Sequence, residues 1–112
     1  MGTQAQGGVP GAVTVRAGQV VAADGGCFWA SLLEAASGTG DVIADLADTV
    51  SVSGQALEIM AYVAGCVRAG RRRFAIIADG PVRGAAEAAS GQAALDVASS
   101  SGELAALWGA GR

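Results

Sequence analysis

The chain has 112 residues, 52% of them hydrophobic and only 15% charged, with a formal net charge of −3. That composition suits one compact domain and argues against disorder, and an acidic chain without a long basic stripe argues against nucleic acid as a partner. No apolar run reaches the ~20 residues a membrane span requires, so no membrane insertion is expected.

The opening MGTQAQGGVPG is Gly-rich and polar, and residues 1–11 read as a flexible N-terminus. It lacks the basic and apolar regions of a secretory signal, and Gln6 stands where a myristoylation site wants Ser or Thr, so a cytoplasmic location is expected. AVTVRAG (12–18) alternates apolar and polar residues like a half-buried strand. After Gly18, QVVAA (19–23) reads as the second strand of a hairpin. CFWASLLEAAS (27–37) has Phe28, Leu32, Leu33 and Ala36 at helical spacing, closed by Gly38 and Gly40. DVIADLA (41–47) is a buried strand with an acidic end, and DTVSVSG (48–54) an extended lead to a turn. QALEIMAYVAGCVRA (55–69) is the longest helical pattern, with Leu57, Met60, Ala61, Ala64 and Val67 on one stripe and Gly70 as its stop. RRRFAIIAD (71–79) leads into a buried strand. Pro81 at a first helical position opens a helix over 81–90 that Gly91 ends. ALDVA (94–98) is a last short strand. Ser100 and Glu103 form a capping box for a final helix over 102–109, and 110–112 read as a loose end.

The order β-β-α-β-α-β-α-β-α implies a single α/β domain over 12–109. It would have one mixed sheet of about five strands and about four helices mainly on one face, because short alternating connections favour parallel strands and right-handed crossovers. Heavy use of Ala, Gly, Val and Arg fits a GC-rich bacterial genome.

In this order the residues resemble the STAS-domain family, shared by anti-sigma-factor antagonists and sulfate-transporter C-termini. GQVVAADGGCFWASLLEAA sits where that family has Gly-Glu-Leu/Ile-Asp, a small-residue turn and a helix with regularly spaced Leu. DVIADLADTVSVSGQAL sits where it has a strand ending in Asp-Leu and a loop reading Asp-Ser-Ser-Gly-Leu. VRAGRRRFAIIADGPVRGAAEAASGQAALDVASSSGELAALW follows its Arg-x-x-Gly, apolar strand, Pro-x-Val-Arg helix, small strand and terminal helix. The resemblance implies a non-enzymatic binder of an anti-sigma factor of the serine-kinase type. A STAS subunit of a transporter or larger signalling assembly is the alternative. It also implies no cofactor and no metal, and leaves monomer and homodimer both open. Its binding surface would be the loop 48–55, the start of the second helix and the turn 23–27. The expected contact residues are Asp24, Trp29, Asp48, Ser51, Ser53, Gly54, Gln55 and Glu58. Aligned without gaps, Gly54 takes the place of the family's phosphorylated Ser. With the loop shortened by two residues, Val52 takes it. Neither carries a hydroxyl, and Ser53 is the nearest candidate for a displaced phosphosite, or else a helix N-cap.

DGGCFW (24–29) also resembles two thiol-enzyme signatures, the Asp-Gly-x-Cys of OTU-type cysteine proteases and the Gly-Cys-Phe-Trp of peptide methionine sulfoxide reductases. A helix N-terminus favours thiolate, but the chain has no His to serve as base. Cys27 is therefore read first as a small residue packed at a helix start, and Cys66 as a core-facing one. Helical rise puts their sulfurs on the order of 15 Å apart, too far for a disulfide, so two free thiols are expected. Arg71, Arg72 and Arg73 read as solvated cations complementing a helix C-terminus. Trp29 falls off the Phe28–Leu32 stripe and reads as an exposed interface anchor, and Trp108 is a second aromatic of interest.

Overall fold

Val13 and Val15, alternating with Thr14 and Arg16, make strand β1 (Ala12–Arg16). In the computed structural model, which describes residues 11–24, 26–93 and 96–110, nine further elements follow. They are β2 (Val20–Val21), α1 (Gly26–Ala36), β3 (Asp41–Asp45), β4 (Ser51–Val52), α2 (Gly54–Ala69), β5 (Phe74–Ile77), α3 (Gly80–Ala93), β6 (Asp96–Ala98) and α4 (Ser101–Ala110). The protein is an α/β domain, with its helices where the sequence periodicity puts them. Of the expected loose ends, residues 1–10 and 111–112 lie outside the described residues, as do positions 94–95 of the last expected strand. Gly11 sits in a turn and Ala110 closes α4.

The main sheet has the order β1-β3-β5-β6, and every neighbouring pair is parallel. Its central strands, DVIAD and FAII, are buried on both faces, which is why they are continuous apolar runs. One face carries Val42, Ala44, Leu46, Phe74, Ile76 and Ala78. These pack under Leu32 of α1, Met60, Val63 and Val67 of α2, and Val82 and Ala86 of α3. The other face carries Ile43, Ala75, Ile77 and Ala98, covered by Leu104 and Trp108 of α4. Three helices thus lie on one face and one on the other, as crossovers of one hand between adjacent parallel strands require.

The expected hairpin does not form. Ala17 N–H donates to Asp45 O at 2.9 Å, so the chain after β1 continues along β3 instead of turning back. β2 pairs in parallel with β4, in a separate two-stranded ladder. The expected single mixed sheet is therefore a parallel sheet of four strands with a small second ladder at one end.

Two helix ends also differ from expectation. α3 runs through Gly91 to Ala93, because a glycine within a helix costs only ~1 kcal/mol and stops nothing unaided. At the end of α2, Gly70 is the C-cap with φ −87°, and the left-handed residue is Arg71 at φ 64°. Arg71 N–H donates to Arg68 O and Arg72 N–H to Val67 O, the bond pattern that normally places glycine at the left-handed position. Arg71→Gly is therefore expected to stabilise the protein by about 0.5–1 kcal/mol, relief of the left-handed penalty outweighing the entropy glycine adds to the unfolded chain. Urea titration checks this, and a destabilised variant would show that the Arg71 side chain makes a contact of greater worth.

The arginine run is structural, but it serves other helices than its own. Arg72 donates to Ala36 O and Gly40 O, closing the C-terminal end of α1. Arg73 donates to Trp108 O and sets its guanidinium 5.5 Å from the Trp108 ring centre, on α4. Gly40 is required by close approach, since a Cβ there would lie 2.6 Å from the carbonyl oxygen of Gly11. The capping box of α4 forms: Glu103 N–H donates to Ser100 Oγ, and Glu103 Oε1 accepts from Ser99 N–H, one residue before the cap. Arg83 from α3 reaches the same corner, bonding Ser99 Oγ and pairing with Glu103 at 3.5 Å.

Candidate interaction surface

The site lies at the C-terminal ends of β1 and β3, where both strands bend together. Asp45 Oδ1 accepts the N–H of Ala47 at 2.9 Å, an Asx-type turn that swings the chain out of the main sheet. Thr49 is buried, and its hydroxyl donates to Gly18 O at 2.7 Å, fastening one bend to the other. Asp45, also buried, has its second oxygen 3.4 Å from Arg16, whose other nitrogen lies 3.8 Å from Asp48. Arg16 is 68% exposed, so these pairs orient more than they stabilise.

Beyond the bend the two segments resume parallel pairing, Val20 with Ser51 and Val21 with Val52. Gln19 O accepts from Val50 and Ser51, and Val21 O from Ser53. Partners differ by 29 positions in the β1–β3 ladder and by 31 in the β2–β4 ladder. The surplus of two lies in the arm 46–50, five residues facing the three of 17–19. Val21 is buried and Val52 half-buried against the core, while Val20 (68%) and Val50 (73%) face solvent.

The expected contact residues separate into two groups. Asp48 in the arm 46–50, Ser51 on β4, and Gly54, Gln55 and Glu58 in the first turns of α2 are exposed, with Asp24 exposed in the turn after β2. Ser53 is half-buried and is the N-cap of α2, its Oγ accepting the N–H of Ala56 at 3.0 Å. Trp29 is not the exposed anchor that was expected. It lies half-buried against the core, its Nε1–H donating to Ala22 O at 2.8 Å and its ring edge-on to Phe28. Trp29 falls three and seven residues before Leu32 and Ala36, a spacing that puts it on their side of the helix. The exposed apolar members of the site, Val20 and Val50, are ones the sequence pattern did not single out. Their signal was a hydrophobic residue within or just before a two-residue strand too short to bury both faces.

Both cysteines are free and exposed, against the expectation of packing. Cys27 is turned about 140° around α1 from buried Leu32, and Cys66 about 120° around α2 from buried Met60. Cys27 lines a hollow of about 200 Å³ together with Val20, Ala22, Gly26, Phe28 and Trp29. It adjoins the β2 side of the surface, with Val20 and Val21 in its wall. No family model, no curated protein and no solved structure matches the chain.

Proposed function

We propose that the protein is a non-enzymatic interaction module that binds a signalling protein through the end built from β2, β4 and the start of α2. The observation that carries this reading is the exposure of Val20 on β2 and of Val50 just before β4, with Asp48, Ser51, Gln55 and Glu58 exposed on the arm 46–50, β4 and α2. Apolar groups rimmed by polar ones are the pattern of a protein contact. The resemblance of the motif series supplies the partner class, an anti-sigma factor of the serine-kinase type. It does so by the order of its motifs, since the two-ladder architecture departs from the single mixed sheet it implied. A transporter or larger signalling assembly would use the same end. Ser53 already spends its hydroxyl oxygen on the cap of α2, and positions 52 and 54 carry no hydroxyl, which favours constitutive binding over a phosphate switch.

Titration calorimetry against the serine-kinase-type anti-sigma factors of the source genome tests this. Binding is expected, and Val50→Asp should weaken it at least about tenfold, since it puts a charge at the centre of an apolar contact. Val50 is 73% exposed, so the variant should fold as the parent does. Absence of binding to every such factor removes the anti-sigma reading. Unchanged affinity in Val50→Asp moves the surface elsewhere.

One observation favours the thiol-enzyme alternative, the exposure of Cys27 at the hollow. The chain has no His to activate it. Alkylation of Cys27 at the same rate as exposed Cys66 at neutral pH would dismiss that alternative.

A further inference from the structure

The geometry points to the free edge of β1 as a self-association site, where two copies pair β1 with β1 antiparallel about an axis at Thr14. This surface is distinct from the end described above, and its test does not depend on that reading.

β1 is an edge strand of the main sheet. Ala17 N–H bonds Asp45 O, and strand groups alternate, so Val13 and Val15 direct their N–H and C=O toward β3. Those of Ala12, Thr14 and Arg16 therefore point outward, and among the described residues nothing bonds them. Folded proteins usually protect such an edge with Lys, Pro, a bulge or a covering segment. AVTVR contains neither Lys nor Pro and is regular throughout its five residues.

The strand is complementary to itself. Antiparallel pairing alternates between residue pairs that exchange both backbone bonds and pairs that exchange none. Centring on Thr14 makes Thr14–Thr14 a bonded pair and Ala12–Arg16 the next one on each side. All outward groups of β1 are then used in both copies. Val13 comes to face Val15 of the second copy on the α1 side, and Thr14 faces Thr14 on the α4 side, both favourable cross-strand pairs.

Charge supports the same register. Asp41 is the β3 partner of Ala12, so its side chain shares the α4 side with Arg16. Arg16 of the second copy, exchanging the pairs its exposed side chain makes with Asp45 and Asp48, would stand opposite Ala12, whose methyl is short enough to be crossed. Strands lie ~4.8 Å apart, which puts Asp41 within the combined reach of the two side chains. Asp41 Oδ1 accepts from Arg73 N–H, and its Oδ2 has no partner among the described residues. On the α1 side, a groove of about 530 Å³ lined by Val13, Val15, Ser31 and Glu34 remains for the second copy to fill. Glu34 meets its own counterpart there, which keeps the pairing weak and concentration-dependent.

The test is sedimentation velocity on the full chain from low micromolar to near-millimolar concentration, with amide exchange at Thr14 and Arg16. The expected result is a monomer–dimer equilibrium, with both amides protected at least tenfold more at the high end. Glu34→Gln should tighten the equilibrium. Thr14→Pro should abolish it, because it deletes an outward N–H that the fold does not use and leaves Val13 in the extended conformation it already has. If Thr14→Pro fails to fold, the amide protection of the parent chain decides. A monomer at all concentrations overturns the proposal. So does protection of Thr14 that is independent of concentration, which would mean the chain's own first residues cover the edge. Dimerisation of folded Thr14→Pro equal to the parent's overturns it as well.

Discussion

Replacing Trp108 with Ala is expected to cost about 3–5 kcal/mol and to release α4 before the rest of the domain. Trp108 is 3% exposed, and with Leu104 it is the main contribution of α4 to the smaller of the two cores. Truncation removes the ring from against Ile43, Ala75 and Ile77. It also breaks the bond from Trp108 Nε1 to Asp96 at 2.8 Å and removes the face over which Arg73 lies. A cation over a Trp face contributes on the order of 0.5–1 kcal/mol where solvent reaches it, so burial dominates the loss. Denaturant titration gives the total. Amide exchange should show residues 101–110 losing protection first, because the opposite face of the sheet remains closed under α1, α2 and α3. A loss below about 1 kcal/mol would mean that α4 is not docked in solution.

Phe74→Ala is expected to cost a similar ~3–5 kcal/mol, with a different signature. Phe74 is 2% exposed at the start of β5, in register with Val42 and beneath three helices. No single element can detach to relieve the cavity, so protection should fall uniformly and unfolding should stay two-state. For a small domain with a total stability of roughly 5–15 kcal/mol, this change alone brings the protein near its unfolding threshold at 37 °C. A cost under about 1.5 kcal/mol, the range of volume-conserving swaps, would mean that the core collapses around the gap.

The contrast shows what was legible in the sequence. Helical spacing in 26–36 and 54–69 and the continuous apolar runs at 41–45 and 74–77 are consequences of burial, and burial is what periodicity reports. Pairing direction is not. AVTVR and QVVAA on either side of Gly18 look the same whether the chain reverses there or bends on. The bond that decides, from Ala17 to Asp45, spans 28 positions and leaves no local trace. The cysteines erred for a simpler reason. Residue type suggested burial, while the helical angle from Leu32 and Met60 argued for exposure, and the angle won. Trp29 is the same lesson in reverse: its spacing from Leu32 and Ala36 outweighed its separation from the Phe28 stripe. Of the candidate surface, the polar members on β4 and α2 could be named as expectations from the resemblance. Val20 and Val50 could not, because their exposure depends on the bend that the hairpin reading excluded.

That bend is a length mismatch. The arm 46–50 is two residues longer than the arm 17–19 it faces, and the difference is absorbed by the Asp45 turn and the Thr49–Gly18 fastening. Were the arms equal, β1–β2 and β3–β4 could run on as one long straight ribbon, and Val20 would follow the pleat of the main sheet. The angle at which this end is presented is thus set by the relative length of two arms, each anchored in the main core by its first residue, Ala17 and Leu46. Insertions at the exposed positions 47 and 48, which spare buried Leu46 and Thr49, could redirect the surface toward a differently shaped partner at little cost to the scaffold, a route to changed specificity that no core substitution offers.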